Sequence, residues 1–593
     1  MNQLYPITQN LKDLYQHLSS LRRRQFFFLL VLMVLTSFVE VFSIGAVLPL
    51  ISVLTAPQKV FEHSYAQPLI DFLGITSVDQ LILPITTAFG LAALIAGAMR
   101  LLLLWVVTRL AYSTGADLTI NVYRGTLYQP YSSHVDRNSS VVINTIVTKV
   151  NTVIQSVIIP VLTLISSAII LAVTLTFLIA IEPKMMLIAF SGFGLIYVLI
   201  MTLTSKILIS NGQRIAREHT QVIKLLQEGL GGIRDILLDG TQELYCKLYR
   251  KSDLPLRRAQ GTNVFIGSSP RFAIEALAMF FLGFVAYFLA QQPGGLIQSL
   301  PAIGVLVLGS QRLLPLLQQS YTAWSTIQSA RASLADTLDF LNQPVPVYVN
   351  QISSDDLPFK KQIVINHVSF RYDSKEPWLL KNIDLTISKG SCVGLIGTTG
   401  SGKSTLIDII SSLILPEKGQ LMIDDEPITQ NNFRAWQSHI AHVPQTIFLA
   451  DSSIEENIAF GIPVNQIDFE RVKLSAEKAQ IADIIETWPM KYKTRVGERG
   501  VRLSGGQRQR IGIARALYKQ ADVLIFDEAT SALDNATELK IIKSINNLSD
   551  EITIIMIAHR LTTLKNCKRI VELDGGSIKE IGNYQDLVPK ITP

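Results

Sequence analysis

Long apolar runs separated by polar breaks fill the first half of the chain. Six stretches, near 26–54, 84–112, 154–181, 185–209, 264–290 and 297–325, are long enough to cross hydrocarbon about 30 Å thick, which takes roughly 20 residues. The breaks alternate in charge. The segments 55–83, 182–184 and 291–299 carry few or no cations, whereas 206–258 carries ten, from Lys206 to Arg258. Basic loops stay inside, so both termini are expected in the cytoplasm, and the basic flank at Leu21–Arg24 agrees. The two inner breaks, at 122–146 and 225–249, are too long for turns and are mostly helical in pattern. They predict long helices that run on from the spans, with short helices near 130–139 and 231–237 at their tips; a solvated hairpin is the alternative.

Composition sharpens this picture. Of 593 residues, 48% are hydrophobic, and they concentrate before about residue 330; beyond about 360 the chain reads as ordinary globular sequence. The net charge of +6 belongs with cytoplasmic loops and calls for no nucleic-acid partner. Cys246, Cys392 and Cys567 have no pairing spacing, which excludes a disulfide framework. The first apolar run is too long for the core of a signal peptide.

The chemistry lies in the second half. GTTGSGKST, at Gly397, Thr398, Thr399, Gly400, Ser401, Gly402, Lys403, Ser404 and Thr405, follows a short β-like run and precedes a helical one. In such a loop, backbone N–H groups close around phosphates. Lys403 meets the β- and γ-phosphates, the Ser404 hydroxyl ligates Mg²⁺, and Thr405 either adds a contact or begins the helix. VLIFDE ends in Asp527 and Glu528, two carboxylates at a strand end, where an open α/β sheet has its ligand crevice. Asp527 is assigned to Mg²⁺ and Glu528 to polarising the attacking water. His559, after the strand-like ITIIMIA, is placed to meet a γ-phosphate. A second glycine-rich loop, LSGGQ at Leu503–Gln507, opens another helix and forms a second anion site.

In this order the motifs resemble the nucleotide-binding domain of ATP-binding cassette transporters over nearly all of 360–593. The resemblance implies that Tyr372 stacks on adenine, and that Gln445 reaches Mg²⁺ and relays nucleotide state. It also implies that Thr494–Gly500 contacts a partner, that Ser531–Asp534 is the D-loop, with Asp534 at the nucleotide, and that His559 is the switch histidine. Two cassettes of this family meet head to tail. Each ATP then lies between the phosphate loop of one and Ser504, Gly505, Gly506 and Gln507 of the other, so a homodimer with two hydrolysing sites is expected. The six spans resemble the exporter-type membrane domain, with coupling helices at about 130–139 and 231–237. The expected fold is therefore an all-α six-helix transmembrane domain followed by an α/β P-loop domain. Its divisions are a cytoplasmic elbow helix at 1–25, spans at 26–330, a linker at 331–360 and the cassette at 361–593, in a multi-pass protein of the cell's inner membrane.

Substrate is read from polar groups in apolar spans, which are costly there and mark cavities or function. Arg100, Arg271 and Arg312 are the candidates, since guanidinium groups grip phosphate oxygens. Arg271 alternatively pairs with Glu275 one turn on, and Glu40 with another span. The segments 129–146 and 39–54, with the outer loop 55–83, resemble bacterial flippases of lipid-linked oligosaccharides. In that family cavity arginines favour a polyprenyl-pyrophosphate glycan. Export of peptides, drugs or simple lipids is the alternative.

Overall fold

The computed structural model describes residues 6–591 apart from 56, 63–66, 68–73, 75–76, 182, 291–294, 345, 347–356, 530–532, 547–551 and 558–560. The chain forms two units. One comprises Met1–Gln129 and Arg137–Val345, the other Pro130–Asp136 and Pro346–Pro593.

The first unit is helical throughout its described length. A short amphipathic helix, Ile7–Gln16, precedes Ser20–Gly45 and Val47–Thr55. The first apolar run is thus broken at Ala46, where a continuous span was expected over 26–54. Pro49 accounts for the break, because it lacks an N–H and its ring collides with the carbonyl four residues back, that of Gly45. Beyond the first span the helices outrun a bilayer: Ile82–Leu127, a run over 139–181, Pro183–Gly231, Gln242–Ala290 and Gly295–Leu341. Two short helices stand at the inner breaks, Tyr131–Asp136 and Ile233–Leu238. Among the described residues four helices are long and apolar enough to cross a membrane: Ser20–Ser43, Ile82–Leu127, Ser139–Phe177 and Gly194–Gly231. The spans expected at 264–290 and 297–325 fall on helices that include side chains outside those described, as does most of the outer segment 63–76. Leu94, Leu101, Phe272 and Phe280 are 69% to 74% exposed on these helices. A surface of that kind is suited to lipid, not water.

Inside this unit Met33, Ala111, Leu118, Val153, Val157 and Leu334 form a buried core. The run 139–181 winds into two π turns, Thr145–Lys149 and Ile154–Ile158. Lys149, in the first of them, is 7% exposed and donates to Asp336 at 2.6 Å, which satisfies a buried cation. Helices Pro183–Gly231 and Gly295–Leu341 cross so closely that a Cβ on Gly212 would lie 2.1 Å from the Ser329 carbonyl oxygen.

The second unit is built on two sheets. An antiparallel one has the order β2-β1-β4-β5, with β1 at Gln362–Phe370, β2 at Leu380–Ser388, β4 at Lys418–Ile423 and β5 at Glu426–Pro427. The other has the order β10-β9-β3-β8-β7-β6. Its strands are β3 at Cys392–Gly397, β6 at Ile440–Val443, β7 at Val523–Asp527, β8 at Thr553–Ile557, β9 at Arg569–Asp574 and β10 at Ser577–Gly582. All its pairings are parallel except β9–β10. Helices cover both faces, as a parallel sheet requires. Alternation is strict: Leu524 and Phe526 enter one core, Val523 and Ile525 the other.

Arg515, on helix Gly505–Tyr518, ties this helix to the loop that follows β6. It donates to the carbonyls of Asn457 at 2.8 Å and Phe448 at 3.0 Å, and its guanidinium lies 4.6 Å from the Phe460 ring. Burial pushes its pKa down to about 10.

Gly212→Ala should lower the thermal midpoint of the detergent-solubilised protein by an amount that corresponds to about 1–3 kcal/mol of overpacking. Gly261→Ala, where nothing lies within 4 Å, should leave it unchanged or raised. Arg515→Ala, which removes the donor to the carbonyl of the buried Asn457, should cost about 1–3 kcal/mol in denaturant unfolding of the ATP-free protein.

Candidate functional site

Four neighbouring parallel strands, β3, β8, β7 and β6, deliver their C-terminal ends to one edge of the sheet. β3 ends at Gly397, β7 at Asp527, and β6 leads into Gln445. β8 leads towards His559, which falls in 558–560, outside the described residues.

The loop from Gly397 to Gly402 is shaped by its glycines. A Cβ on Gly397, at φ +147°, would lie 2.2 Å from the Leu573 carbonyl oxygen, so no other residue fits. Gly402, at φ +97°, caps helix Lys403–Ile410, whose free N–H groups point into the loop. Thr398, Thr399 and Gly400 are exposed at its rim, while the buried Ser401 hydroxyl has no hydrogen-bond partner. Lys403 Nζ donates to the carbonyls of Gly397 and Thr398, 2.9 Å each, and so stands in the mouth of the loop. Ser404 is exposed there, whereas Thr405 is buried in the helix.

Carboxylates crowd the same place. Burial, and after it the neighbouring Glu528, raises the Asp527 pKa, while Lys403 acts in the opposite direction. Asp408, on helix Lys403–Ile410, is pushed up to about 6 by burial and then by Asp527. The sequence reading passed over this residue; a lone carboxylate inside STLIDIISSLI was the available signal. Glu528 holds φ +50°, uncommon for a residue with a side chain, while its N–H donates to the Ile557 carbonyl at 3.0 Å. Gln445 Nε2 donates to Glu528 Oε2 at 2.5 Å, joining two of the expected residues. A cradle of N–H groups, an unpartnered hydroxyl and clustered carboxylates beside one lysine fit a polyphosphate carried with a divalent cation.

Tyr372 is 43% exposed and packs edge-on against Phe370, ring centres 5.1 Å apart. Helix Tyr131–Asp136 belongs to this unit, and burial raises the Tyr131 pKa, with smaller contributions from Asp408 and Tyr372. The expected tip helix thus clusters with the unit that carries the phosphate loop, far from it in sequence.

The second glycine loop is a helix start of another kind. Ser504 Oγ accepts from the Gln507 N–H at 3.2 Å, and Gln507 Oε1 accepts from the Ser504 N–H at 2.8 Å, a complete capping box. Ser504 is exposed, and Gly505 and Gly506 form the first turn of helix Gly505–Tyr518. No hydrogen bond or ion pair among the described residues joins this loop to Gly397–Thr405. Asp534 accepts from the Thr537 N–H at 2.9 Å and so caps helix Asn535–Asn546; Ser531 lies outside the described residues.

In the helical unit, Arg100 pairs with the buried Glu40, and Arg271 Nε with Glu275 Oε1 at 2.6 Å. Each pair lines a cavity, one of about 400 Å³ with Ser166, Ser167 and Gln319, the other of about 430 Å³ with Gln155, Gln318 and Gln319. The Arg312 side chain lies outside the described residues.

Comparisons with known proteins agree with this arrangement. Residues 380–531 match the family model described as ABC transporter. The chain is 27% identical over 468 residues to the ATP-dependent lipid A-core flippase of Alkalilimnicola ehrlichii, covering 77% of each protein. It is 38% identical over 291 residues to the leukotoxin translocation ATP-binding protein LktB of Mannheimia glucosida, 48% of this chain but only 40% of that protein. The leukotoxin export ATP-binding protein LtxB of Aggregatibacter actinomycetemcomitans is 40% identical over 45% of this chain and 37% of its own. The fold matches that of a bacterial Atm1-family ABC exporter with ATP bound, at a TM-score of 0.77 and 22% identity over 96% of both chains. The chain therefore resembles exporter-type ABC transporters: behind a helical domain it carries an ABC transporter domain, matched at 380–531, whose ATP hydrolysis is coupled to transport.

Proposed function

We propose that two copies of this chain form a homodimer that moves a lipid-linked oligosaccharide, a polyprenyl-pyrophosphate glycan, outward across the cytoplasmic membrane. Its termini and ATPase domains lie on the cytoplasmic side. The observation that carries the substrate reading is Arg271, which lines a cavity within the apolar helices among three glutamines. Guanidinium and amide groups there suit pyrophosphate and sugar hydroxyls. Arg100 lines a second such cavity, and Arg312 stays a candidate from sequence. The likeness to the ATP-dependent lipid A-core flippase of Alkalilimnicola ehrlichii supports a lipid substrate. The leukotoxin relatives favour a second reading, export of peptides, with drugs and simple lipids beside it.

In the ATPase domain, the backbone from Gly397 to Gly402 and Lys403 hold the triphosphate, and Tyr372 stacks on the adenine. Ser404, Gln445 and Asp527 are the residues that would hold Mg²⁺, which supplies charge neutralisation at the phosphates. Glu528, already hydrogen-bonded to Gln445, orients and polarises the attacking water, and His559 meets the γ-phosphate. Ser504, Gly505, Gly506 and Gln507 grip the nucleotide of the other copy, with Asp534 at the same interface. The exposure of Ser504 at a finished helix N-terminus supports that role. ATP then bridges two copies, and its hydrolysis removes the bridge. Helix Tyr131–Asp136, which lies between membrane helices in sequence yet clusters with the ATPase unit, supports a mechanical link between nucleotide and membrane helices.

Glu528→Gln should lower ATP hydrolysis by about 10²-fold or more while ATP binding persists; hydrolysis at the parental rate would remove Glu528 from its role. In proteoliposomes carrying a fluorescent polyprenyl-pyrophosphate oligosaccharide, ATP-dependent movement should vanish in Glu528→Gln. In Arg271→Ala it should fall much further than ATP hydrolysis does. Absence of movement in the parental protein, with ATP hydrolysis intact, would overturn the glycan reading and favour peptides.

A further inference from the structure

The helical unit holds a third and larger cavity. Helices Pro183–Gly231 and Gly295–Leu341 touch where Gly212 lies against Ser329, and next to this crossing lies a cleft of about 1320 Å³. Its walls are stripes. Ser210, Gln213, Arg214, Arg217 and Gln221 recur every three or four residues and so share one helix face. Leu248, Lys251 and Ser252 do the same on helix Gln242–Ala290. The third stripe, Ala332, Ala335, Asp336 and Asp339, contains two small residues, which leave the room. Lys149 joins them from its π turn. All of these residues belong to the helical unit, and none lines either of the cavities that hold Arg100 and Arg271.

The charges in this cleft do not cancel in place. Lys149 is taken up by Asp336 at 2.6 Å, and Asp339 is engaged as well. Glu218 lies 3.8 Å from Arg217, whose side chain is 72% exposed, a loose pair that holds little. Arg214 and Lys251 make no hydrogen bond or ion pair among the described residues. Three cations from two helices are thus open to an anion. Their height settles what kind. Lys206 is the first cation after Lys184 on helix Pro183–Gly231 and ends its apolar run. At about 1.5 Å per residue, Arg214 and Gln221 stand about 12 Å and about 22 Å past that point, whereas a headgroup layer is only about 5–8 Å deep. The cleft faces water beyond the reach of lipid headgroups.

We propose that this cleft is a binding site for a soluble, polyhydroxylated organic phosphate of the sugar-phosphate class. Arg214 and Arg217, one helical turn apart, present guanidinium forks to phosphate oxygens, and Lys251 adds a point charge from the neighbouring helix. Ser210, Gln213, Gln221 and Ser252 donate to and accept from hydroxyl groups. Asp336 and Asp339, on the third helix, repel phosphate and accept from hydroxyls, so the ligand is oriented with its phosphate towards the arginines. A ligand held in this way bridges helix Gly295–Leu341 to the two helices that flank the short helix Ile233–Leu238. The site is independent of the proposed transport substrate.

The test is equilibrium dialysis of the full chain in detergent, without nucleotide, against radiolabelled glucose 1,6-bisphosphate. Saturable binding is expected, weakening roughly tenfold or more as salt rises from about 0.05 M to about 0.3 M. Unlabelled glucose should not displace the probe, and citrate should do so much less well than the bisphosphate itself. Arg214→Gln combined with Lys251→Gln should lower the affinity roughly tenfold or more while ATP hydrolysis without the probe persists, which shows the variant is folded. Arg271→Ala should leave probe binding unchanged, so that failure here and failure of the transport reading are separate results. A parental protein with no saturable binding would overturn the proposal without recourse to any variant, and so would full affinity in the folded double variant. Displacement by citrate as effective as by the bisphosphate would overturn the phosphate assignment. Phospholipid that co-purifies with the parental protein, blocks the probe and is lost with the same two substitutions would overturn the soluble ligand in favour of a headgroup.

Discussion

The ATP site depends on the register of one sheet. Ile557 of β8 lies opposite Leu395 of β3 on one side and Asp527 of β7 on the other. The phosphate loop therefore begins two residues beyond the row in which the first carboxylate stands. Each of these strands alternates between two buried faces, and both cores are apolar. A slip of one residue would exchange the faces of a whole strand and bring Phe526 to the level of Asp527. Residues from Gly397 to Glu528, spread over 132 positions of sequence, are brought to one edge by this register.

Local chemistry made part of this legible. A glycine loop that must approach phosphate, a strand that ends in carboxylates and a capped helix start are each written within ten residues, so Gly397–Thr405, Asp527–Glu528 and Ser504–Gln507 could be read directly. The long helices were legible too, because patterning continued past the apolar runs into basic segments. Contacts between remote segments were not. Nothing near Arg515 announces that its donors end on Phe448 and Asn457, and nothing near Tyr131 announces that its helix clusters with the unit of the phosphate loop. The break at Ala46 was readable from Pro49 but is masked by the apolar run around it. Asp534, read as a nucleotide residue from its motif, also has a purely local task at its helix N-terminus.

Glu528 shows how the two levels meet. Its φ of +50° costs energy for any residue with a Cβ, and it persists because β7 and β8 fix the backbone on one side while Gln445 holds the carboxylate on the other. A carboxylate at a regular strand position would continue the pleat and point into a core. The turn at Glu528 carries it out of the sheet and towards Gln445 at the sheet's C-terminal edge.

The helical unit poses the opposite problem, charge where the surroundings are apolar. Arg100 with Glu40, and Arg271 with Glu275, are locally neutral, and this lowers the cost of placing each arginine among apolar helices. Pairing does not exhaust a guanidinium. It has five N–H donors in a planar fork, and a carboxylate occupies one edge of that fork. Arg271 is engaged by Glu275 through Nε, and both side chains are about half exposed to the cavity. On the proposed reading, an anionic headgroup would bind beside the carboxylate or displace it, and the carboxylate would set the threshold. Arg100 is held by a carboxylate that is 5% exposed, so displacement there would strand a buried charge. Of the two arginines, Arg271 is the one whose partner can turn to water when a ligand arrives.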